Sequence, residues 1–163
     1  MIIRDYQDQD KDAILPLIAN FRVELANLKG LNKKPDLTGA ETELNDYLEE
    51  KFPIYVAIDD NDDMLGYAVC RIMSGVVWAE SMFVRKGERR RGIGCQLFQS
   101  IESLARELGN DTVYNWVHPN NEKSINFLKR MGYNVLNLVE IRKKHPGEVL
   151  EKKIVVDKYE FDY

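Results

Sequence analysis

The succession of apolar periodicities predicts an α+β chain built on one mixed, mostly antiparallel sheet of about seven strands, with helices on both faces. Three observations carry that reading. Apolar strand-like runs crowd into residues 54–84 with only short turns between them, the pattern of an antiparallel meander. Helix-period segments flank that cluster on both sides instead of alternating with it strand by strand. A strand, a helix and a further strand over 76–117 complete a unit that closes as a right-handed parallel crossover. With 163 residues, 44% of them hydrophobic, the chain suits a single domain, 1–163, around one core.

Met1–Tyr6 reads as the first strand, with Asp8 and Asp10 closing it. From Lys11 to Lys29, Ile14, Leu17, Ile18, Phe21, Leu25 and Leu28 recur at helical spacing, and Gly30 supplies the stop. After a polar loop, Thr38–Lys51 makes a second helix with Leu44, Tyr47 and Leu48 on one side. Pro53 precedes the strand Ile54–Ile58, "DDNDD" at 59–63 is a turn, Met64–Met73 returns, and Ser74-Gly75 turns tightly into Val76–Val84. Leu97, Phe98, Ile101, Leu104, Ala105 and Leu108 mark a helix ending at Gly109. Thr112–Val117 is a strand, Glu122–Met131 a short helix closed by Gly132, and Tyr133–Ile141 and Ile154–Phe161 are the last two strands.

Composition narrows the function classes. No apolar run approaches the roughly 20 residues that span a bilayer, and "MIIRDYQDQDKD" has no secretion-signal character. Cys70 and Cys95 form neither a metal spacing nor a disulfide framework, so a reduced, cytoplasmic setting without metal is expected. Net charge is −4 but uneven, with 7 Lys+Arg against 15 Asp+Glu through residue 70 and 16 against 12 thereafter. Such asymmetry suits an anionic partner on one part of the fold and a cationic one on another.

The most informative stretch is "ERRRGIG" at 88–94, directly before a helix. The first amides of a helix are unpaired and its dipole favours negative charge there. Gly92 and Gly94 lack a Cβ, so phosphate oxygens can come close to the backbone, and Arg89, Arg90 and Arg91 add charge-assisted contacts. No Gly-Lys-Ser/Thr follows, and the spacing is not G-x-G-x-x-G, so this is neither a P-loop nor a dinucleotide fingerprint. A phosphate-bearing small ligand fits best.

Val84-x4-Arg89-x-x-Gly92-x-Gly94 resembles the acetyl-CoA signature of the GNAT N-acetyltransferases, Arg/Gln-x-x-Gly-x-Gly/Ala. "NEKSINFLKRMGY" at 121–133 resembles that family's second motif, in the right order and one helix and one strand further on. The resemblance implies the family's single-domain fold over nearly the whole chain, acetyl-CoA as co-substrate, and acetyl transfer to a primary amine in a ternary complex. It implies that the amides from Arg90 through Gly92, Ile93 and Gly94 to Cys95 hold the pyrophosphate. Main-chain groups of Met82, Phe83 and Val84 would pair with the pantetheine in a gap between the fourth and fifth strands, and Asn121 and Ser124 would touch the cofactor from the other side.

Acetyl transfer to an amine needs a deprotonated amine, a stabilised oxyanion and a protonated leaving thiolate. Glu80 is the candidate base; alternation places it on one face with Met82 and Val84, and it matches a position where diamine acetyltransferase-like members carry glutamate. The family's general-acid tyrosine, one residue after the Phe/Leu of the second motif, is replaced by Leu128. Tyr133 and Tyr114 are substitutes, with Tyr133 preferred. Leu128 also keeps open a CoA-binding module, sensor or scaffold, with little catalysis.

Other residues are read blandly. Cys70 and the two tryptophans, Trp78 and Trp116, read as core. Cys95 needs only to be small, His118 caps or decorates a strand end, and His145 lies in a turn. The basic 85–91 loop suits nucleic acid only weakly, since no aromatic interleaving accompanies it and the chain is acidic overall. The acidic helices and loop at 11–51, which the resemblance places over the acceptor, would draw a cationic amine, a small molecule or peptide. The alternating segment Ile154–Tyr163 offers an edge strand through which a homodimer would form.

Overall fold

Ile54–Ile58 (β2), Met64–Met73 (β3) and Val76–Val84 (β4) form the middle of a five-stranded sheet, with the boundaries their apolar patterns predict. The Ser74-Gly75 turn takes φ of 52° and 79° at its two central residues, the mirror-type geometry that matches strand twist and so returns β4 directly along β3. The computed structural model describes residues 1–163, which divide into two units, Met1–Gly132 and Tyr133–Tyr163.

In the first unit Ile2–Asp5 (β1) pairs antiparallel with β2, β2 with β3 and β3 with β4, and β4 pairs parallel with Tyr114–Asn115 (β5). Helices Lys11–Leu28 (α1) and Leu37–Glu49 (α2) cover one face. Ile14, Leu17, Ile18, Leu44 and Tyr47 are buried there against Ile54, Val56, Tyr67, Val69 and Phe83. Asp36 caps α2 by accepting from the Gly39 amide at 3.0 Å. Helix Ile93–Glu107 (α3) lies on the opposite face, burying Ile93, Leu97, Phe98, Ile101 and Ala105, and Glu122–Arg130 (α4) touches it where Phe127 meets Phe98 edge-on at 5.6 Å. The crossover from β4 through α3 to β5 is therefore parallel, as its sequence order predicts.

Strand ends held by distant partners depart from the sequence expectation. The fifth strand keeps only Tyr114–Asn115 of the expected 112–117, because only Trp78 and Ala79 of β4 lie beside it. In the second unit Tyr133–Ile141 forms no strand; Val135 is 90% and Leu136 72% exposed, with no ladder to join. Ile154–Phe161, expected as one strand, is a hairpin of Lys153–Val156 (β6) and Tyr159–Asp162 (β7). Asp157 takes φ of 55° at the reversal, Lys153 pairs with both Glu160 and Asp162 at 3.1 and 2.7 Å, and Lys152 and Tyr163 exchange backbone bonds. The main sheet thus has five strands, with two more in a separate sheet.

Asp10, expected only to end β1, is 6% exposed. Its carboxylate accepts from Arg4 Nη1 and Nη2 at 2.6 and 2.8 Å and from the Gln7 amide at 2.8 Å. The Arg4 hydrogen bonds hold the Asp10 pKa below its ordinary 3.8, against the opposing effect of burial. Its contribution to stability is therefore present above about pH 4 and lost as pH falls through the depressed folded-state value. Asp10→Asn should cost about 2–3 kcal/mol at pH 7, leaving Arg4 half-paired. Unfolding midpoints measured from pH 7 to pH 2 should fall less steeply below pH 4 in the variant than in the wild type.

Candidate active site

The site starts from an irregularity in β4. Val69 lies opposite Ser81 but the next β3 residue, Cys70, lies opposite Ala79, so Glu80 is the extra residue of a β-bulge. Bulges re-aim side chains and break the two-residue period. Glu80 accordingly does not share a face with Met82 and Val84, as strict alternation predicts. Its Oε2 lies 3.4 Å from Arg71 Nε, while Met82 and Val84 stand opposite Ala68 and Gly66, on the face that α3 covers. Ser81, beside the bulge, is buried and shares a 2.8 Å hydrogen bond with the hydroxyl of the fully buried Tyr67. That bond pins the irregular backbone from the α1–α2 side.

Beyond the bulge β4 separates from β5, since their pairing ends at Ala79 and Asn115. The Arg85 amide donates to Leu65 O at 2.8 Å. In an antiparallel ladder, paired and unpaired positions alternate, so Phe83 also turns its main chain towards β3. Met82 and Val84 turn theirs to the open edge. The Phe83 main chain thus faces away from the open edge. Of the other two, Val84 O already accepts from Arg89 Nε at 2.9 Å.

The chain then passes a short 3-10 turn, Lys86–Glu88, into α3. Gly92 precedes the helix with φ of 84°, and no side chain caps the helix start, so the amides of Ile93, Gly94 and Cys95 face outward without a side-chain acceptor. The three arginines differ in what they hold. Arg89 also donates to Glu24 Oε1 of α1 at 2.8 Å and lies over the Phe83 ring at 4.9 Å, so it acts as a strut between β4 and α1. Arg91 pairs with Glu88. Arg90 is exposed and takes a left-handed φ of 67°. A Cβ on Gly94 would meet Phe127 and Val84 side chains at an ordinary 3.7 Å, which makes Gly94 a point of close packing between β4 and α4.

Asn121 is the N-cap of α4, its side chain accepting from the Ser124 amide at 3.2 Å. The preceding loop is tied to the end of α1 by Asn120 Nδ2 to Leu28 O at 3.2 Å. Burial, with Lys29 adding repulsion, lowers the pKa of His118 and favours the neutral ring. Tyr133 is the first residue of the second unit. Cys70 is buried and its thiol pushed up to about 12 by burial, which makes it inert, and Cys95 is half-buried.

An aromatic group next to the bulge was hidden in the sequence. Trp78 packs in tilted geometry against Tyr114 at 5.1 Å and against Trp116 at 4.6 Å between ring centres. Trp116, expected in the core, is 62% exposed, and the Arg71 guanidinium lies over its ring at 4.7 Å. Arg71, Ser81 and Gly66 carried no sequence signal; only the pairing register brings them to the site. A concavity of about 620 Å³ along the outer side of α3, lined by Tyr55, Gln96, Ser100 and Glu107 among others, contains none of the motif's glycines or arginines. No group of three or more His, Cys, Asp or Glu side chains is placed to hold a metal ion, and no helix is long and apolar enough to cross a membrane.

Comparison with known proteins agrees with this geometry. Over 110 residues the chain is 29% identical to the L-methionine sulfoximine/L-methionine sulfone acetyltransferase of Pseudomonas aeruginosa, a match covering 64% of each protein. The same figures hold for the relative of that description in Pseudomonas paraeruginosa, so the chain matches just under two thirds of the length of these curated relatives. Its fold is similar to that of a probable acetyltransferase, with a TM-score of 0.71 and 19% identity over 91% of this chain and 100% of the other. It is also similar to an aminoglycoside N-acetyltransferase, AAC(6′)-Iy, in complex with CoA, with a TM-score of 0.63 and 19% identity over 89% of this chain and 100% of that one. The model of the acetyltransferase (GNAT) family matches residues 22–133, more than half of the chain, and spans the bulge, the open edge and both motifs: the chain belongs to the GNAT acetyltransferase family.

Proposed function

We propose that the chain is an acetyl-CoA-dependent N-acetyltransferase that moves an acetyl group to a primary amine by direct attack in a ternary complex. The observation that carries the reading is the open edge of β4 past Ala79 leading into an uncapped helix start. The residues present fit acetyl-CoA at that place. Met82 leaves a backbone donor and acceptor on the open edge, the amides of Ile93 to Cys95 and the exposed Arg90 suit a pyrophosphate, and Gly92 keeps the approach free of a side chain. Bound there, acetyl-CoA supplies an acyl carbon activated as a thioester.

In this reading Glu80 takes the amine proton, directly or through a water, so that nitrogen can form the new N–C bond as the C–S bond breaks. Leu128 cannot protonate the departing sulfur, and the second motif offers Tyr133 for that task. The same leucine supports a second reading, a CoA-binding module with little turnover. Binding of nucleic acid by the 85–91 loop is disfavoured by the engagement of Arg89 with Glu24 and of Arg91 with Glu88.

Thermal unfolding with acetyl-CoA, CoA, ATP and duplex DNA added separately tests the assignment. A ligand bound only by the folded state adds about 2.7 kcal/mol at a hundredfold excess over its Kd, or roughly 5–10 °C for a chain of this length. Both CoA species should give such a shift, ATP a much smaller one and DNA none. Absence of a shift with either CoA species would reject the pyrophosphate site and the acetyltransferase reading together.

A further inference from the structure

Arg71 and Glu80 face each other in an unfinished way. Their nearest atoms, Arg71 Nε and Glu80 Oε2, are 3.4 Å apart, both are shielded from solvent, and neither has a hydrogen-bond partner. Buried polar atoms of charged groups are ordinarily satisfied, and each one left open costs on the order of 1–3 kcal/mol. At 3.4 Å the two form an ion pair without hydrogen-bond alignment, beside the exposed Trp116 ring and at the point where β4 and β5 part.

We infer that Arg71, Glu80 and the Trp78–Trp116 pair form the acceptor subsite, and that the acceptor is a zwitterion, an amino acid or similar amine bearing a carboxylate. The inference rests on the acetyltransferase reading and narrows its substrate. A guanidinium next to a carboxylate is complementary to an ammonium next to a carboxylate: Arg71 takes the acceptor's carboxylate and Glu80 its amino group. The amino group Glu80 holds is the one it must deprotonate, so binding and activation fall on one residue. A diamine would set its second positive charge against Arg71. Trp116, with Trp78 packed against it at 4.6 Å, gives the acceptor's side chain a wall. General attraction of cations by the acidic amino-terminal part is reduced, because Glu24, Glu41, Glu43 and Asp10 are spent on Arg89, Lys11, Arg22 and Arg4. The Pseudomonas relatives, described as acting on L-methionine sulfoximine and L-methionine sulfone, use acceptors of this class.

Trp78 and Trp116 are the only two tryptophans of the chain, so tryptophan fluorescence reads this subsite selectively. The experiment titrates the CoA-saturated protein with L-methionine sulfone, its methyl ester and 3-(methylsulfonyl)propan-1-amine, the last lacking the carboxylate. Acetylation of the same three amines is measured in parallel, in the wild type, Arg71→Gln and Arg71→Lys. The free amino acid should quench and saturate, and both analogues should bind at least tenfold more weakly. Arg71→Gln should lose that preference and raise the KM for the amino acid at least tenfold. Arg71→Lys should recover part of the preference, and an unchanged CoA-induced thermal shift shows that the variants fold. Carboxylate-free amines bound or acetylated as well as the amino acid would overturn the subsite and leave the enzyme reading standing. Carboxylate-dependent quenching without acetylation would leave the subsite standing and overturn the enzyme reading. A wild-type protein that neither binds nor acetylates the amino acid overturns the zwitterion inference.

Discussion

Glu80→Gln should lower kcat/KM for the acceptor amine by about 10²–10⁴, the range over which a positioned general base acts. Glutamine keeps the size and the strand position but cannot accept the amine proton. The geometry makes the expected loss local. Glu80 is the extra residue of the bulge, so its backbone lies outside the regular ladder, and its one ion pair, to Arg71 at 3.4 Å, carries no hydrogen bond and joins side chains that are each about a quarter exposed. Weakening that pair should cost no more than about 1 kcal/mol. The unfolding midpoint and its shift with CoA should therefore stay close to wild type while turnover collapses. Should Glu80→Gln retain turnover within threefold, the base must be sought elsewhere and the bulge loses its catalytic meaning. Tyr133→Phe in the same assay separates the two proton transfers. A loss in kcat without a change in acceptor KM assigns Tyr133 to the thiolate, and no loss leaves that proton to solvent.

Structure that depends on short-range chemistry was legible in the sequence, and structure that depends on a distant partner was not. β2, β3 and β4 have the predicted boundaries because their turns are local and their apolar runs are continuous. The two glycines at the start of α3, Gly92 and Gly94, likewise announced a helix start with free amides. The bulge was invisible, since it is a mismatch between β3 and β4 and neither strand carries it alone. Reading Glu80 by alternation therefore put it on the wrong face. The arginine run shows the same limit. Three adjacent cations suggested three ligand contacts, but Arg89 has its partner 65 positions earlier, at Glu24, and no local pattern could reveal that. Trp116 was taken as core from its strand-like surroundings; β5 stops at Asn115, and the ring is left at the surface. Tyr133–Ile141 has the alternation of a strand but joins no ladder, and a strand exists only through its ladder.

The sharpest structural test lies in glycines that look alike in sequence. Gly66→Ala should destabilise the protein by about 2–3 kcal/mol, lowering the unfolding midpoint by roughly 5–10 °C. A Cβ there would sit 2.7 Å from the Phe83 carbonyl oxygen, 3.3 Å from Val84 Cα and 3.2 Å from a Leu97 methyl. Two of those three neighbours are main chain, so relief means moving β4 itself, and the segment displaced is the one that carries Met82 and Val84 to the open edge. CoA affinity should fall along with stability. Gly94→Ala makes the contrast. Its Cβ would meet only side chains, at 3.7 Å, and it lies within α3, where alanine is favoured over glycine by up to about 1 kcal/mol. The Gly94 variant should thus unfold at or slightly above the wild-type temperature, with any effect on CoA binding arising from the added methyl at the helix start. Equal midpoints for the two variants would mean that β3 and β4 are not packed as tightly at Gly66 as the register requires. A large loss for Gly66→Ala with none for Gly94→Ala would show that the glycine outside both motifs is the one the frame of the site depends on.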